Sequence, residues 1–192
     1  MNFQKSFLLI VLCAVFTNAT AQKYASKSQT EVKTKWNDVT FSSNKTLNEN
    51  ISDLDAFSYL NGIFENENLK NQMLEQEMIT VFAPIDNSFN SLSEEDREVL
   101  LADPAKLSSM IKFLAVPGRV DLASIRNAIR LNDGYAFFAT LSGARLGAKL
   151  IDNEVVLFDS ENNIARLTAT DFYHKNGLFH MIDGLVYPSS DK

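Results

Sequence analysis

Two histidines and the aspartates around them are the side chains of this sequence best suited to metal binding or proton transfer. His174 and His180 lie six residues apart, with Asp171 before the pair and Asp183 after it. Imidazole and carboxylate groups are zinc ligands, but this spacing fits no zinc-binding motif. We therefore expect no metal site. We interpret His180 as a packed strand residue and His174 as a solvated residue of the turn before that strand.

Nucleophilic and phosphate-binding chemistry has no support among the remaining residues. The single cysteine is Cys13, and the sequence contains no G-x-S-x-G motif. Gly134, Gly143 and Gly147 lack the spacing of a dinucleotide- or phosphate-binding loop. Paired carboxylates stay open as an acid and a base, because a sequence leaves their spatial pairing undefined. We predict a protein that is not an enzyme and has no catalytic, cofactor-binding or metal-binding residues.

The first 21 residues have the parts of an export signal. Lys5 provides the positive charge, Phe7–Phe16 is an apolar run, and residues 19–21 form a small-x-small cleavage site. An uncleaved membrane anchor is less favoured because the apolar run is too short to span a bilayer. Lipid attachment at Cys13 is disfavoured by the bulky residue before it. We expect a secreted protein, either periplasmic or at the cell surface.

The net charge of the chain limits the classes of partner that it can bind. It has 18 basic and 24 acidic side chains and a net charge of −6, and the signal contains one lysine and no acid. The mature chain is therefore more acidic still. Such a chain disfavours nucleic acid, whose phosphates are bound by clustered Lys and Arg. A mature chain without cysteine must be stabilised by its apolar core rather than by disulfides.

Composition divides the chain into a signal peptide (1–21), a polar tether (22–50), a folded domain (51–188) and a C-terminal tail (189–192). The tether is rich in Ser, Thr, Asn and Lys, and we expect it to be partly disordered. Its apolar residues Trp36, Val39 and Phe41 could dock against the domain. The remaining length is sufficient for one domain with one core.

Helical spacing dominates the first half of the predicted domain, and strand-like runs dominate the second. From Ile51 onward, apolar residues recur every three or four positions, and Asp103-Pro104 is typical of a helix start. The predicted strands are Thr80–Phe82, Tyr135–Leu141, Arg145–Ile151, Glu154–Phe158 and Ile164–Thr168. Helices first and antiparallel strands later indicate an α+β fold.

Two segments carry the clearest motifs of the chain. The first box, residues 80–89, is TVFAPIDNSF, and the second box, residues 177–188, is GLFHMIDGLVYP. In the first box Pro84 ends a short strand, because proline cannot donate to a strand ladder, and Asp86 suits a turn or a helix cap. In the second box, residues 178–182 alternate between the two sides of a strand, and Pro188 ends the pairing. We interpret both boxes as core strands with fixed exits.

The two boxes resemble the signatures of the fasciclin (FAS1) domain family, T-V-F-A-P-x-D-x-x-F and G-x-x-H-x-I-D-x-x-x-x-P. The resemblance covers residues 51–188 and implies a FAS1-like β-wedge or sandwich with helices packed on it, in which the boxes are neighbouring core strands. Most members are secreted adhesion or interaction modules without a catalytic site. The short signal and the cysteine-free mature chain indicate a bacterial, single-domain member. A structural role is implied for Thr80, Val81, Phe82, Ala83, Pro84, Asp86, Phe89, Gly177, His180, Ile182, Asp183 and Pro188.

The sequence departs from the family pattern at one position. Many members carry a Tyr-His pair after the central helix, which is linked to adhesion in some animal members, but the matching position here is Phe113-Leu114. Tyr173-His174 lies just before the second box and is not the equivalent pair. The sequence also contains no Arg-Gly-Asp tripeptide. An integrin-type mechanism is therefore not expected.

Two functions remain open. The leading interpretation is a non-catalytic module without a cofactor that binds a protein or polysaccharide at the cell surface or in the matrix. The alternative is a carrier of an apolar, pigment-like molecule, since some fasciclin-like proteins bind pigments. The 14 phenylalanines motivate this alternative, especially Phe137, Phe138 and Phe158 with Tyr135 and Leu157. Core packing is the simpler explanation of these side chains.

Overall fold

The structure, a computed structural model, describes residues 30–189. The predicted signal peptide, the first part of the predicted tether and residues 190–192 lie outside the described residues. The chain divides into the units Met1–Thr30 and Glu31–Lys192, and the second unit contains every element described below. Within the described range, no helix combines the length and the apolar character needed to cross a membrane.

The described residues form seven α-helices, nine strands and a short 3-10 turn at Asp55–Phe57. The helices are α1 (Leu47–Ile51), α2 (Ser58–Ile63), α3 (Glu67–Leu74), α4 (Asp86–Asn90), α5 (Glu94–Leu101), α6 (Pro104–Phe113) and α7 (Leu122–Leu131). The strands are β1 (Lys33–Trp36), β2 (Val39–Ser42), β3 (Ile79–Pro84), β4 (Ala115–Pro117), β5 (Tyr135–Ala139), β6 (Arg145–Ile151), β7 (Glu154–Phe158), β8 (Ile164–His174) and β9 (Gly177–Ile182). The predicted α+β class is confirmed.

Seven of the strands form one mixed sheet in the order β4-β3-β9-β8-β7-β6-β5. The two boxes lie on β3 and β9, which are parallel neighbours, with Phe82 opposite His180. The other pairs in this sheet are antiparallel. Near its two edge strands, the Leu141 N–H donates to the Ala115 carbonyl over 2.8 Å, so the sheet curls almost into a barrel. The implied pairing of the two boxes is therefore confirmed.

Phenylalanines fill much of the core between the curled sheet and the helices. Phe179 on β9 packs edge-on against Phe41, with ring centroids 5.0 Å apart, and contacts Phe172 at 5.2 Å. Burial of such a ring contributes roughly 1.5–3 kcal/mol of stability. The phenylalanines that rank among the largest fully buried side chains are Phe41, Phe57, Phe82, Phe89, Phe113 and Phe179.

The structure corrects the second half of the predicted tether. Strands β1 and β2 form an antiparallel hairpin that inserts Phe41, fully buried, beside Phe172 and Phe179. The buried Asn50 side chain accepts a hydrogen bond from the Ser42 N–H at 2.8 Å, and it also donates to the Ser42 carbonyl. One buried ring and a polar network hold a segment whose composition alone is typical of a disordered linker. The folded unit thus begins near residue 31 rather than 51.

Strand β8 is longer than predicted. It continues past Thr168 to His174. The sequence did not reveal this extension, because two register shifts between Leu167 and Phe172 interrupt the alternation that identifies a strand. Asp171, in this irregular stretch, has a positive φ of 64°. A bulge of this kind bends a strand and changes the direction of its side chains. The short strand β4 was also missed by the sequence analysis.

Candidate functional site

The two boxes meet at a polar junction around His180. This imidazole is fully buried and stacks on the Phe82 ring, with centroids 5.4 Å apart. Its Nδ1 accepts a hydrogen bond from the Asp171 N–H at 3.2 Å, which leaves Nε2 to donate to the Val120 carbonyl at 2.8 Å. Burial lowers the pKa of His180, although the Val120 carbonyl and nearby carboxylates act in the opposite direction. The ring is therefore neutral and held by main-chain partners.

The carboxylates beside His180 hold the start of α7. Asp171 lies 3.9 Å from the imidazole and accepts a hydrogen bond from the Leu122 N–H at 2.9 Å. Asp121 caps the same helix by accepting from the Ser124 N–H at 2.8 Å, and hydrogen bonds from Ser124 lower the pKa of Asp121. These acceptors satisfy main-chain donors that a helix leaves free at its N-terminus. Asp121 and Asp171 thus serve as main-chain acceptors at the start of α7.

The first box is tied to its neighbours through three polar side chains. Thr80 donates to the Gly118 carbonyl and accepts from the Val120 N–H, each over 2.8 Å. Ser88 donates to the Ile182 carbonyl of the second box at 2.9 Å. Asp86 does not cap its own helix, as its position suggested, but accepts from the Ser58 hydroxyl and from the Tyr59 N–H at the start of α2.

The apolar members of the two boxes lie inside the sheet. Val81, Phe82, Ala83, Pro84 and Phe89 of the first box are all buried. In the second box Ile182 is buried, Pro188 is partly exposed, and the exposed Asp183 exchanges two hydrogen bonds with the main chain of Arg166. These positions agree with the structural role implied for the boxes, which remains a prediction to be tested by substitution.

Gly177 allows the close approach of the two boxes. Its φ is +155°, and a Cβ atom at this position would lie 1.7 Å from the Ile79 carbonyl oxygen on β3. That distance is far below a van der Waals contact with main-chain atoms, which cannot move aside as a flexible side chain can. The parallel pairing of β3 and β9 therefore requires glycine at its first position.

The structure corrects the prediction for His174. It is not a solvated turn residue but the last residue of β8, only 4% exposed. Its Nε2 donates to the Leu178 carbonyl at 3.2 Å, and its Nδ1 has no hydrogen-bond partner among the described residues. Burial lowers its pKa from 6.5 to about 4. The prediction was wrong because the irregular part of β8 was taken for a turn.

The position that matches the Tyr-His pair of other members is buried. Phe113 ends α6 and Leu114 follows it, with exposed fractions of 2% and 0%. The Leu114 carbonyl accepts a hydrogen bond from the Phe82 N–H of the first box at 2.9 Å. Apolar packing therefore replaces a hydroxyl and an imidazole at this position, and its side chains are not available to a partner.

The exposed aromatic residues of the second half gather on one surface. We call this surface the aromatic face; it consists of Tyr135, Phe137, Arg145, Lys149 and Phe158, on the outer side of β5, β6 and β7. Tyr135 and Phe137 are each 50% exposed, and both contact the Phe158 ring edge-to-face, with centroids 6.1 and 5.8 Å away. The Arg145 guanidinium lies 4.9 Å from the Phe137 centroid, and the Lys149 ammonium lies 5.2 Å from the Phe158 centroid.

Gly147 gives the aromatic face its shape. In the strand register Phe137, Gly147 and Phe158 lie opposite one another across β5, β6 and β7. The Phe158 ring leans over the glycine, and a Cβ atom at Gly147 would lie 2.4 Å from that ring. The missing side chain thus lets two rings meet above the middle strand. The result is an exposed apolar platform with a cation on each of two rings.

Sequence analysis identified the aromatic residues of this face but not its charges. It connected Tyr135, Phe137 and Phe158 with a possible apolar ligand, whereas the register also places Arg145 and Lys149 on their side of the sheet. The alternating residues of β6, which are Arg145, Gly147 and Lys149, were the available signal. The hairpin register, which a sequence does not define, was needed to use it.

Two cavities bear on the carrier alternative. One, of about 200 Å³, is lined by Tyr135, Phe137, Phe138 and Arg145 between β5 and α7. It is smaller than the ~300–1,000 Å³ pockets that hold drug-sized ligands. The other is a groove of about 420 Å³ between α2 and α6, lined by polar as well as apolar residues such as Tyr59, Asn66 and Leu107. The residues that suggested a carrier do not line this larger groove.

The described part of the chain contains no group of three or more histidine, aspartate and glutamate side chains placed to hold one metal ion. His174 and His180 are both buried, and each donates from its Nε2 to a main-chain carbonyl. The candidate functional site is therefore the exposed aromatic face rather than the box junction.

Comparison with known proteins relates this fold to one family. The Fasciclin domain family model matches residues 55–188. Human periostin is 22% identical over 150 residues, which cover 76% of this chain and 16% of periostin. Protein sll1483 of Synechocystis sp. is 29% identical over 111 residues, which cover 57% of this chain and 54% of that protein.

A solved structure shares the fold. It is the FAS1 domain pair from the insect cell adhesion molecule fasciclin I, with a TM-score of 0.57 and 16% sequence identity. The similarity covers 69% of this chain and 45% of the fasciclin I chain. The chain thus spans about half, or much less, of the length of the known proteins that it matches.

Proposed function

Because the chain belongs to the fasciclin domain family, we propose that it is an extracellular interaction module that attaches cells to a surface or matrix. Domains of this family are generally cell-adhesion or extracellular interaction modules, and one structural neighbour is a cell adhesion molecule. The proposal includes export directed by residues 1–21, and a non-catalytic role in the periplasm, outside the cell or at its surface. Its partner is a protein or a polysaccharide.

The observation that carries this proposal is the exposure of the aromatic face. Tyr135 and Phe137 each present half of their surface to solvent, side by side on the outer face of β5. Large exposed apolar groups that lie together mark interaction sites more often than scattered ones do. By contrast, the titratable side chains at the box junction, His180 and Asp171, are engaged in hydrogen bonds within the fold.

The attachment mode differs from one based on the Tyr-His pair. That position is occupied by the buried Phe113 and Leu114, whereas the aromatic face lies on the outer side of β5, β6 and β7. A partner would therefore bind the sheet surface. Its ionic contacts with Arg145 and Lys149 would weaken as salt concentration rises, because salt screens exposed charges.

The proposal is tested by deleting the gene in the source organism and measuring attachment of the cells to a surface. We expect attachment to fall and to recover when the purified mature chain, residues 22–192, is added. Unchanged attachment in the deletion strain would contradict the proposal. In that case, extra mass in native mass spectrometry of the purified protein would favour a carrier of an apolar molecule.

A further inference from the structure

We infer that the aromatic face binds an anionic polysaccharide whose sugar rings stack on Phe137 and Tyr135 while its acidic groups pair with Arg145 and Lys149. The inference rests on the proposed function, because it names the partner class of the same surface. It is argued from the exposure, the local charge and the shape of this face.

The apolar part of the face is extended and open to solvent. Tyr135 and Phe137 contact Phe158, and Ile164 on β8, which is 42% exposed, lies opposite Phe158 in the strand register. Sugar rings carry apolar C–H faces with slight positive charge, which pack on the negative faces of aromatic rings. The exposed rings stand on the open surface of the sheet, so a sugar that stacks on one of them requires no deep pocket.

The charge of this face is opposite to that of the whole chain. The chain has a net charge of −6, yet Arg145 and Lys149 are the charged groups placed over the exposed rings. Glu154, the first residue of β7 on this side, is paired with Arg166 at 3.5 Å. A guanidinium binds a carboxylate or sulfate through paired hydrogen bonds, and an ammonium binds it as a point charge. The local charge therefore favours an anionic partner.

Charge density separates an acidic polysaccharide from a nucleic acid. Duplex DNA carries one charge per ~1.7 Å and needs a cluster of basic residues along its backbone. An acidic polysaccharide with one carboxylate per sugar has a much lower charge density. Repulsion by the acidic remainder of this chain is correspondingly weaker for such a polymer.

The cavity next to the face fits a sugar unit better than a larger ligand. It has a volume of about 200 Å³ and is lined by Asn132, Tyr135, Phe137 and Arg145. It thus places an amide, a phenol and a guanidinium around a small space that is lined by polar and apolar groups alike. One sugar unit of a chain lying across the face could enter it, with its hydroxyl groups near the polar side chains.

The test measures binding of the mature chain, residues 22–192, to immobilised polygalacturonate, dextran sulfate, neutral dextran and oligo-dT at low salt. The double variant Phe137→Ala/Arg145→Gln removes one ring and one cation of the face. The control Val99→Ala/Arg97→Gln makes the same change of charge on α5, where Val99 is 61% exposed. Thermal unfolding of each variant reports whether the fold is retained.

We expect the chain and its control to bind polygalacturonate or dextran sulfate more tightly than dextran, with binding reduced by salt. The double variant should bind at least ~10-fold more weakly, as for the loss of an interface anchor. Comparing the affinity for polygalacturonate with that for dextran sulfate shows whether the face prefers a carboxylate or a sulfate. Lys149→Gln, a single surface change, should also weaken binding, and it replaces the double variant in the test if that variant unfolds.

Three results would overturn the inference: no binding to either anionic polymer, equal binding by the double variant and the control, or tighter binding to dextran or oligo-dT. Attachment restored by a chain that binds no polysaccharide would refute this inference and leave the proposed function intact. Polysaccharide binding with unchanged attachment in the deletion strain would refute the proposed function alone.

Discussion

Buried histidines connect the stability of this domain to pH. Burial lowers the pKa of His174 from 6.5 to about 4, and it also lowers the pKa of His180. Between pH 4 and 6.5 the unfolded chain binds a proton at His174 that the folded chain does not bind, so the free energy of unfolding increases with pH. This stability is fully present above pH 6.5 and is lost as the pH falls toward 4.

We expect the free energy of unfolding to fall by roughly 1.4 kcal/mol for each pH unit that the pH drops within this window because of His174, and His180 should act in the same direction. Urea unfolding of the parent and of His174→Gln, measured on both sides of pH 6.5, gives the slopes. The variant should have the shallower slope. Glu49 and Asp121, whose pKa values are lowered from 4.5 and 3.8, add to the loss of stability near the acidic end of this window, in the parent and in the variant alike. If the stability of the parent did not depend on pH in this window, the conclusion that the buried histidines are neutral in the folded domain would be wrong.

Gly177 gives a second prediction at the level of a single residue. Gly177→Ala should destabilise the domain by more than ~3 kcal/mol or prevent folding, since a Cβ atom would overlap the Ile79 carbonyl. Gly62→Ala is the matched control, because nothing lies within 4 Å of a Cβ at this position in the last turn of α2. The control should be more stable by about 0.5–1 kcal/mol, as in other helices. Equal stability of the two variants would contradict the close approach of β3 and β9.

At the level of elements, the hairpin of β1 and β2 belongs to the folded domain. Phe41 on β2 is fully buried against Phe172 and Phe179, and the Lys175 N–H, in the turn between β8 and β9, donates to the Lys45 carbonyl at 2.7 Å. Phe41→Ala should therefore cost about 3–5 kcal/mol in urea unfolding. Val32→Ala, at a position 40% exposed, is the control and should change little. A Phe41→Ala variant as stable as its parent would restore the tether interpretation.

Strong local signals made several elements predictable. Asp103-Pro104 indicated the start of α6, where Asp103 accepts from the Lys106 N–H at 2.9 Å. The runs Arg145–Ile151 and Glu154–Phe158 were predicted with the bounds that the structure has. The hairpin of β1 and β2 and the second half of β8 were not predictable in this way. Their strands depend on distant contacts and on bulges, which tertiary structure decides.

The candidate site was predictable only in part for the same reason. Tyr135, Phe137 and Phe158 stood out by residue type, but the meaning of Arg145 and Lys149 depended on strand register. His174 was misplaced because its strand contains an irregular stretch. The box residues were predictable as a motif. Within each box their order along the strand follows the parallel pairing of β3 and β9.

For the whole molecule, the residues that hold the fold together and the residues proposed to bind a partner lie in different regions. The two boxes join the helical half to the curled sheet, while the outer surface of β5, β6 and β7 remains open to a partner. The domain is acidic as a whole and basic at the aromatic face. A module built in this way can change its surface residues without disturbing its core, which fits a family that serves many interactions.

Export and processing are tested on the whole chain. We expect the protein isolated from the medium or the periplasm of the source organism to begin at Gln22, because cleavage after residues 19–21 fits the sequence pattern. Intact-mass measurement of the isolated protein determines its first residue. A protein that retains Met1 and remains in the membrane fraction would contradict the export part of the proposal.

The most direct test of the account is attachment of deletion-strain cells to surfaces coated with equal amounts of folded protein. The coatings are the mature chain, the Phe137→Ala/Arg145→Gln variant and the Val99→Ala/Arg97→Gln control. An interaction module that works through its aromatic face predicts strong attachment to the parent and control coatings and weak attachment to the aromatic-face variant. Attachment no stronger than to a bare surface, or equal attachment to all three coatings, would contradict it.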